Sequence, residues 1–293
     1  MKWTFFAINI DVSKWPPLRY NCVTMSNPLF RLRITSSILC ALAVGAAQAK
    51  DFLVVGTTFA RIYEQTETGE FIALGAELAR TIAQQQGLTL KFGIFPWARA
   101  QEMVANGNAD VLVGPYKTPA REERFAFGDQ PFYQDNMVFY KLTSSKASWD
   151  GSYESLKGKR LVAVLGWVYG TPFDQERANL GVTNAITVES GLTMLLNNRM
   201  DFFVANERNA TAGVALLGKY DRFSVVSPMI GKEVGYFAFP KDAEHEELRQ
   251  AFNAGLGKLI DSGEYAAMAK RFSITVPSAL VGKGRAPKAG GAK

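Results

Sequence analysis

The residues best equipped for chemistry in this sequence are cationic and aromatic. Arg121 lies in "VGPYKTPAREER", just beyond Val111-Leu112-Val113, an apolar run that reads as a buried strand broken at Gly114-Pro115. A guanidinium presents paired N–H donors that match a carboxylate, so one arginine can both hold and orient an anion. Most arginines are surface residues, and Glu122, Glu123 or Asp129 would serve as surface partners. Arg124, three residues on, is the better surface candidate. Trp167 and Tyr169 stand in "GWVYG", between a strand-like and a helix-like segment, with little core to join. Gly166 and Gly170 permit close backbone approach there, and the helix start that follows could help hold an anion. From these residues alone a surface ion pair is the leading reading of Arg121, with a non-covalent grip on a small anion as the alternative.

Covalent and metal chemistry find few parts. The one histidine, His245, lies in "DAEHEEL", which reads as an exposed helix start, and "HEELR" lacks the second histidine of a zinc helix. No nucleophile elbow, zinc spacing or phosphate-binding glycine loop is present. We expect no catalytic residue, no metal and no cofactor.

Residues 25–49, "MSNPLFRLRITSSILCALAVGAAQA", read as a signal peptide. Arg31 and Arg33 precede an apolar run, and Ala47-Gln48-Ala49 is a small-residue cleavage site, so the mature chain is expected to begin at Lys50. The run is too short for a membrane span, which needs about 20 residues. Leu39 before Cys40 argues against a lipoprotein anchor. Translation is expected to start at Met25 rather than Met1, because a signal peptide does not begin so far ahead of its apolar run. Cys22 and Cys40 both precede the cleavage point, which leaves no thiol for catalysis or metal binding. The net charge of +6 is concentrated at the ends. Residues 50–272 hold 24 basic and 26 acidic side chains, which gives no support to nucleic-acid binding.

These residues need a frame. Segments 52–55, 89–95 and 111–113 read as strands alternating with amphipathic helices at 74–87 and 97–107. A second unit repeats the pattern, with strands at 161–164, 184–188 and 201–207 and helices at 171–181 and 190–200. "NMVFYKL" (136–142) and "EVGYFAFPKD" (233–242) read as strands joining the two units. The expected fold is α/β, a two-lobed clamshell with two hinge strands and a cleft at the strand ends. Lobe 1 comprises 50–138 plus 238–272, including the C-terminal helices, and lobe 2 comprises 143–232. The tail 273–293, rich in Gly, Ala, Pro and Lys, is expected to be disordered.

Four blocks resemble the solute-binding proteins of amino-acid-type ABC transporters. They are "FIALGAELARTIAQQQGLTLKF", "WARAQEMVANGNADVLVGPYKTPAREERFAFGDQPFY", "LLNNRMDFFVAN" and "GYFAFPKDAEHEELRQAFNAGLGKLIDSGEYAAMAKRF". They run in family order across nearly all of 51–272. The resemblance implies the type II periplasmic binding fold and periplasmic capture of a small anionic solute, an amino acid or related carboxylate. It implies handover to an inner-membrane permease by a protein that acts as a monomer. The arginine of the family's "T-x-x-R" loop corresponds to Arg121, which places it in the cleft, on the ligand carboxylate. Thr118 and Gly114 would donate to or shape the same site. Phe59 falls where relatives stack an aromatic on the ligand, though core packing is an equal reading. Arg99, at the start of a helix beside the cleft, is a second candidate cation, while Trp97 reads as packing.

The sequence also departs from the pattern. Where the family often carries an aspartate for the ligand's α-ammonium, Asn206 stands, and an amide brings no full charge. Glu207 is adjacent but would face the other way on a strand. Tyr116 replaces a common Ser/Thr contact. These changes weaken an α-amino-acid reading and favour a flat or apolar ligand body held by Trp167, Tyr169 and Phe59. Two alternatives follow from the same fold: a cyclohexadienyl-type dehydratase with Glu64 or Glu207 as general acid, and a sensor acting on a membrane receptor.

Overall fold

Val111–Tyr116 (β5) is buried at every position, because it lies inside a sheet with neighbours on both edges. The computed structural model describes residues 50–283. On one side β5 pairs in parallel with Asp51–Gly56 (β1), itself parallel to Thr89–Ile94 (β4). On the other it pairs antiparallel with Phe223–Phe239 (β11). Tyr133–Leu142 (β7) follows, then Phe202–Asn206 (β10), Leu161–Val164 (β8) and Thr183–Ala185 (β9). The sheet is continuous, in the order β4-β1-β5-β11-β7-β10-β8-β9, with Ala126–Phe127 (β6) pairing off β11. Glu64–Gln65 (β2) and Phe71–Ile72 (β3) form a separate two-stranded ribbon.

β7 and β11 are the strands that tie the halves together. β11 begins opposite Leu142 of β7, beside the β10-β8-β9 half, and ends opposite Ala126 and Leu112, in the β4-β1-β5 half. It is longer than the expected 233–242 segment, and its pairing shifts register between Val226 and Gly231. Ser227-Pro228 falls in that shift, and a proline inside an apolar run hides a strand from pattern reading. β5 likewise runs through Gly114-Pro115 rather than stopping there, since Pro115 lies opposite the irregularity between Gly235 and Phe237 of β11. An irregular ladder position does not need the missing N–H.

The helices follow their caps. Leu74–Gln86 (α1) buries Leu74, Leu78 and Ile82 and stops at Gly87 in the left-handed conformation. Trp97–Ala105 (α2) covers β1 and β5. Pro119–Glu122 (α3) is a single turn, and Thr171–Glu176 (α4) is shorter than expected. Val188–Leu196 (α5) starts with a Thr187–Ser190 capping box. Glu207–Leu217 (α6) follows β10 directly and was not anticipated; its signal was Asn206, a strong N-cap residue. Glu207 is thus the first residue of a helix, not the last of a strand. Ala243–Ser262 (α7) and Glu264–Arg271 (α8) pack against α1, in the first half of the molecule.

Two further expectations need correction. His245 is buried, 5% exposed. Its ring nitrogens lie 2.9 Å from Asp110 Oδ1 and 2.6 Å from Asp242 Oδ1, which pins the start of α7 to the turn before β5. The start of the tail is packed as far as Leu280: Ile274 and Leu280 are buried, and Gln134 of β7 donates its N–H to Thr275 O at 3.1 Å. Apolar side chains spaced through the glycines and prolines gave it something to bury. Residues 1–49, where the signal peptide is expected, and residues 284–293 lie outside the described residues. Among the described residues no helix is long and apolar enough to cross a membrane.

Candidate ligand-binding cleft

Local structure turns Arg121 inward. Thr118 caps α3, its Oγ1 accepting the Arg121 N–H at 3.3 Å, and Pro119 occupies the first turn. The chain therefore reverses at once after β5, and the Arg121 side chain returns to the strand end, 8% exposed. Nη1 donates to Tyr116 O at 3.0 Å and Nη2 to Gly166 O at 3.5 Å, from one half of the molecule to the other. The guanidinium carbon is 5.6 Å from the Trp97 ring centroid. Among the described residues no carboxylate comes within ion-pair distance of Arg121. Burial pulls its pKa below the usual guanidinium range, against the opposing effects of Tyr133, Tyr116 and Asp174.

Arg121 forms one wall of a small inner cavity of about 20 Å³. Phe59, Gly114, Tyr116, Trp167 and Asn206 line it too, and so do Trp97, Tyr133 and Val168, which the sequence had not assigned to a site. Phe59 packs edge-on to both Trp97 and Trp167, with ring centroids at 5.2 and 5.6 Å. Gly114 has φ +87, and a side chain there would stand 3.1 Å from Tyr133 Oη, so only glycine fits the strand end at this wall.

The other expected residues sit elsewhere. Thr118 spends its oxygen on the α3 cap. Tyr169 is fully buried, accepts the Val164 N–H on its hydroxyl at 2.8 Å, and supports the loop from behind. Gly170 opens α4, with Glu233 Oε1 3.0 Å from where a side chain would begin. Arg99 is exposed and lies over Phe95, 5.5 Å from its centroid. Asn206, in the cavity wall, uses its side-chain carbonyl to cap α6, accepting the Asn209 N–H at 3.0 Å.

Behind the cavity lies an ion pair that sequence reading missed. Arg208 forks onto Asp135, Nε to Oδ1 at 3.0 Å and Nη2 to Oδ2 at 2.7 Å, with both side chains buried. Tyr116 Oη donates to the same carboxylate at 2.7 Å, and Asn206 Nδ2 donates to Tyr116 Oη at 3.3 Å. Burial opposes the Arg208 charge, but Asp135 outweighs it and holds the guanidinium above its usual range. Burial also pushes the Tyr116 hydroxyl up, with Asp135 adding to the effect. An acid inside the apolar strand "YQDNMVFYKL" was the available clue. Asp135 sits on β7, and Arg208 Nη1 also bonds Ala60 O, so one guanidinium bridges a hinge strand, α6 and the loop after β1.

A larger groove of about 580 Å³ shares Trp97 and Trp167 with the inner cavity. Leu165, Ile186, Val188 and Leu216 give it an apolar wall, and Glu64 and Glu189 stand along it. Asn209 also lines it, and its buried Nδ2 has no hydrogen-bond partner among the described residues. Glu207 is engaged by Asn136 Nδ2 at 3.0 Å. Among the described residues no group of three or more His, Cys, Asp or Glu could hold a metal ion.

Tyr133, on β7, also constrains the facing strand β11 at the cavity wall. A methyl group on Gly235 would stand 1.9 Å from Tyr133 Cε1. Gly235→Ala is expected to cost about 3 kcal/mol or more, since the ring cannot move without opening the wall. Urea denaturation of the variant, with loss of ligand binding in parallel, checks this.

Comparison with known proteins gives a consistent outcome. The model of the bacterial extracellular solute-binding proteins, family 3, matches residues 53–274. A histidine kinase sensor domain with similarity to periplasmic binding proteins superposes with TM-score 0.69 at 19% identity, over 78% of this chain and 98% of that one. A mutant of ArgBP from T. maritima gives 0.65 at 24%, over 76% and 95%. A substrate-binding protein of an ABC uptake transporter from Streptococcus pneumoniae, with bound histidine, gives 0.65 at 18%, over 78% and 94%. None of the curated proteins compared matches the sequence. At these identities the likeness establishes the two-lobed α/β fold.

Proposed function

The chain belongs to the bacterial extracellular solute-binding proteins, family 3, and from that premise we propose that it captures a small anionic solute in the periplasm and delivers it to an ABC permease. Arg121 anchors the anionic group. The 166–171 loop and Asn206 close over the ligand body, and Thr118, through its cap, holds Arg121 in register. Contacts made only in the closed form stabilise that form, and the closed form is what the permease recognises. The protein acts as a monomer, exported by the signal peptide and cleaved after Ala49. One observation carries this reading: a buried guanidinium lies in an aromatic cavity with no carboxylate partner among the described residues. A buried charge without a counterion is costly, and a ligand anion removes the cost. The solved neighbour from an uptake transporter, with its bound histidine, supports the delivery step.

The test is calorimetry of the purified protein against a panel of organic and amino acids, with small-angle scattering before and after saturation. A binding carboxylate that shrinks the radius of gyration supports capture by closure. Uptake of that solute by cells, lost on deletion of the gene, supports delivery; unchanged uptake removes it.

A further inference from the structure

We propose that the preferred ligand is a carboxylate with an apolar body and no ammonium on the adjacent carbon, so that ordinary α-amino acids are poor guests of this cleft. This rests on Arg121 as the carboxylate anchor. An α-ammonium lies one carbon from the carboxylate and must therefore find its acceptor among the residues around Arg121. The acceptors there are already in use. Asp135, which reaches the wall through Tyr116, has both oxygens taken by Arg208, at 3.0 and 2.7 Å, and Tyr116 adds a further donor at 2.7 Å. Its charge is cancelled by a guanidinium that does not deprotonate. The Asn206 carbonyl accepts the Asn209 N–H, and the amide nitrogen points its donors toward Tyr116. The carbonyls of Tyr116 and Gly166 face Arg121, and that of Gly114 accepts from Tyr133 at 2.6 Å.

The remaining wall is aromatic or aliphatic. Aromatic faces attract cations, but Trp97 already faces the Arg121 guanidinium. Asp174 accepts the Tyr169 N–H at 2.8 Å, and Glu233 stands behind Gly170; neither lines the cavity. Glu64 and Glu189 line the larger groove and not the inner cavity. An ammonium beside Arg121 would lose its hydration and gain only neutral oxygens already engaged in hydrogen bonds and no free carboxylate, while a carboxylate gains Arg121. Among the described residues Asn209 Nδ2, on the adjoining groove, is an unpartnered donor, while the unpartnered acceptor Asp174 Oδ1 lines neither the cavity nor the groove.

The decisive experiment uses ligand pairs that differ only in the ammonium: 3-phenylpropanoate against phenylalanine, and 4-methylpentanoate against leucine. Both are titrated by calorimetry into protein unfolded and refolded to strip bound solute. The acids without nitrogen are expected to bind at least about 10-fold tighter in both pairs, a difference of about 1.4 kcal/mol. Asn206→Asp, which puts a carboxylate at the wall, is expected to narrow or reverse the ratio; should it fail to fold, the wild-type pairs decide alone. If the amino acids bind as tightly as their partners or tighter, the inference is overturned while the anion anchor stands. If nothing in either pair binds, or Arg121→Ala binds as the wild type does, the anchor falls and the inference with it.

Discussion

Arg121→Ala is expected to weaken ligand binding by about 100-fold or more, roughly 3 kcal/mol, the range for a charge-assisted hydrogen bond left unmade. The same change is expected to leave the ligand-free protein as stable as before or more stable. Arg121 is 8% exposed, its hydrogen bonds go to two carbonyls, and no carboxylate pairs with it among the described residues. Its removal deletes a desolvated charge rather than a stabilising pair. Arg121→Lys is expected to recover little, since an ammonium is a point charge without the fork that orients a carboxylate. Asn206→Ala should cost less affinity than Arg121→Ala, because Asn206 serves first as the cap of α6. Calorimetry gives the affinities, and thermal melts with and without ligand give the stabilities. A residue with a purely structural role would lower the melting point of the ligand-free protein; a ligand anchor abolishes only the ligand-induced shift.

The opposite pattern is expected at the Asp135–Arg208 pair. Arg208→Ala or Asp135→Ala each leaves one buried charge without its counterion and is expected to cost about 3–5 kcal/mol. Asp135→Leu combined with Arg208→Met removes both charges and keeps volume, so it should recover most of that loss. The pair is bidentate, both side chains are buried, and Arg208 also bonds Ala60 O. Weakening it should therefore loosen the link between α6 and the loop after β1 as well as destabilise the fold. Urea denaturation of the two single variants and the double variant measures the coupling. Equal losses in all three would mean that the ion pair itself is not what the site needs. Small-angle scattering of Arg208→Ala reads any opening of the two halves.

Much of the architecture was legible because its code is local. Strand–helix alternation, the Gly87 stop of α1 and the two joining segments are set by periodicity and caps within a few residues of one another. The placement of Arg121 belongs to the same class: a buried strand, a capping threonine and a proline turn lie within eleven residues of sequence. The full length of β11 and the passage of β5 through Pro115 were less legible, because prolines at irregular pairings imitate strand ends.

The sequence by itself determined the α/β two-lobed class, the order of its elements and a cationic residue at the end of β5. Only the tertiary structure decided which polar groups near that residue remain free. Asp135 and Arg208 are 73 positions apart and meet because β7 and β10 pair side by side and α6 starts where β10 ends. Asn206 lost its free carbonyl to a helix start, and His245 was drawn between Asp110 and Asp242 across 135 positions of chain. Caps and periodicity act over a single turn and can be read in order along the chain. The partner of a buried charge depends on sheet register and helix packing, and those exist only once distant segments have come together.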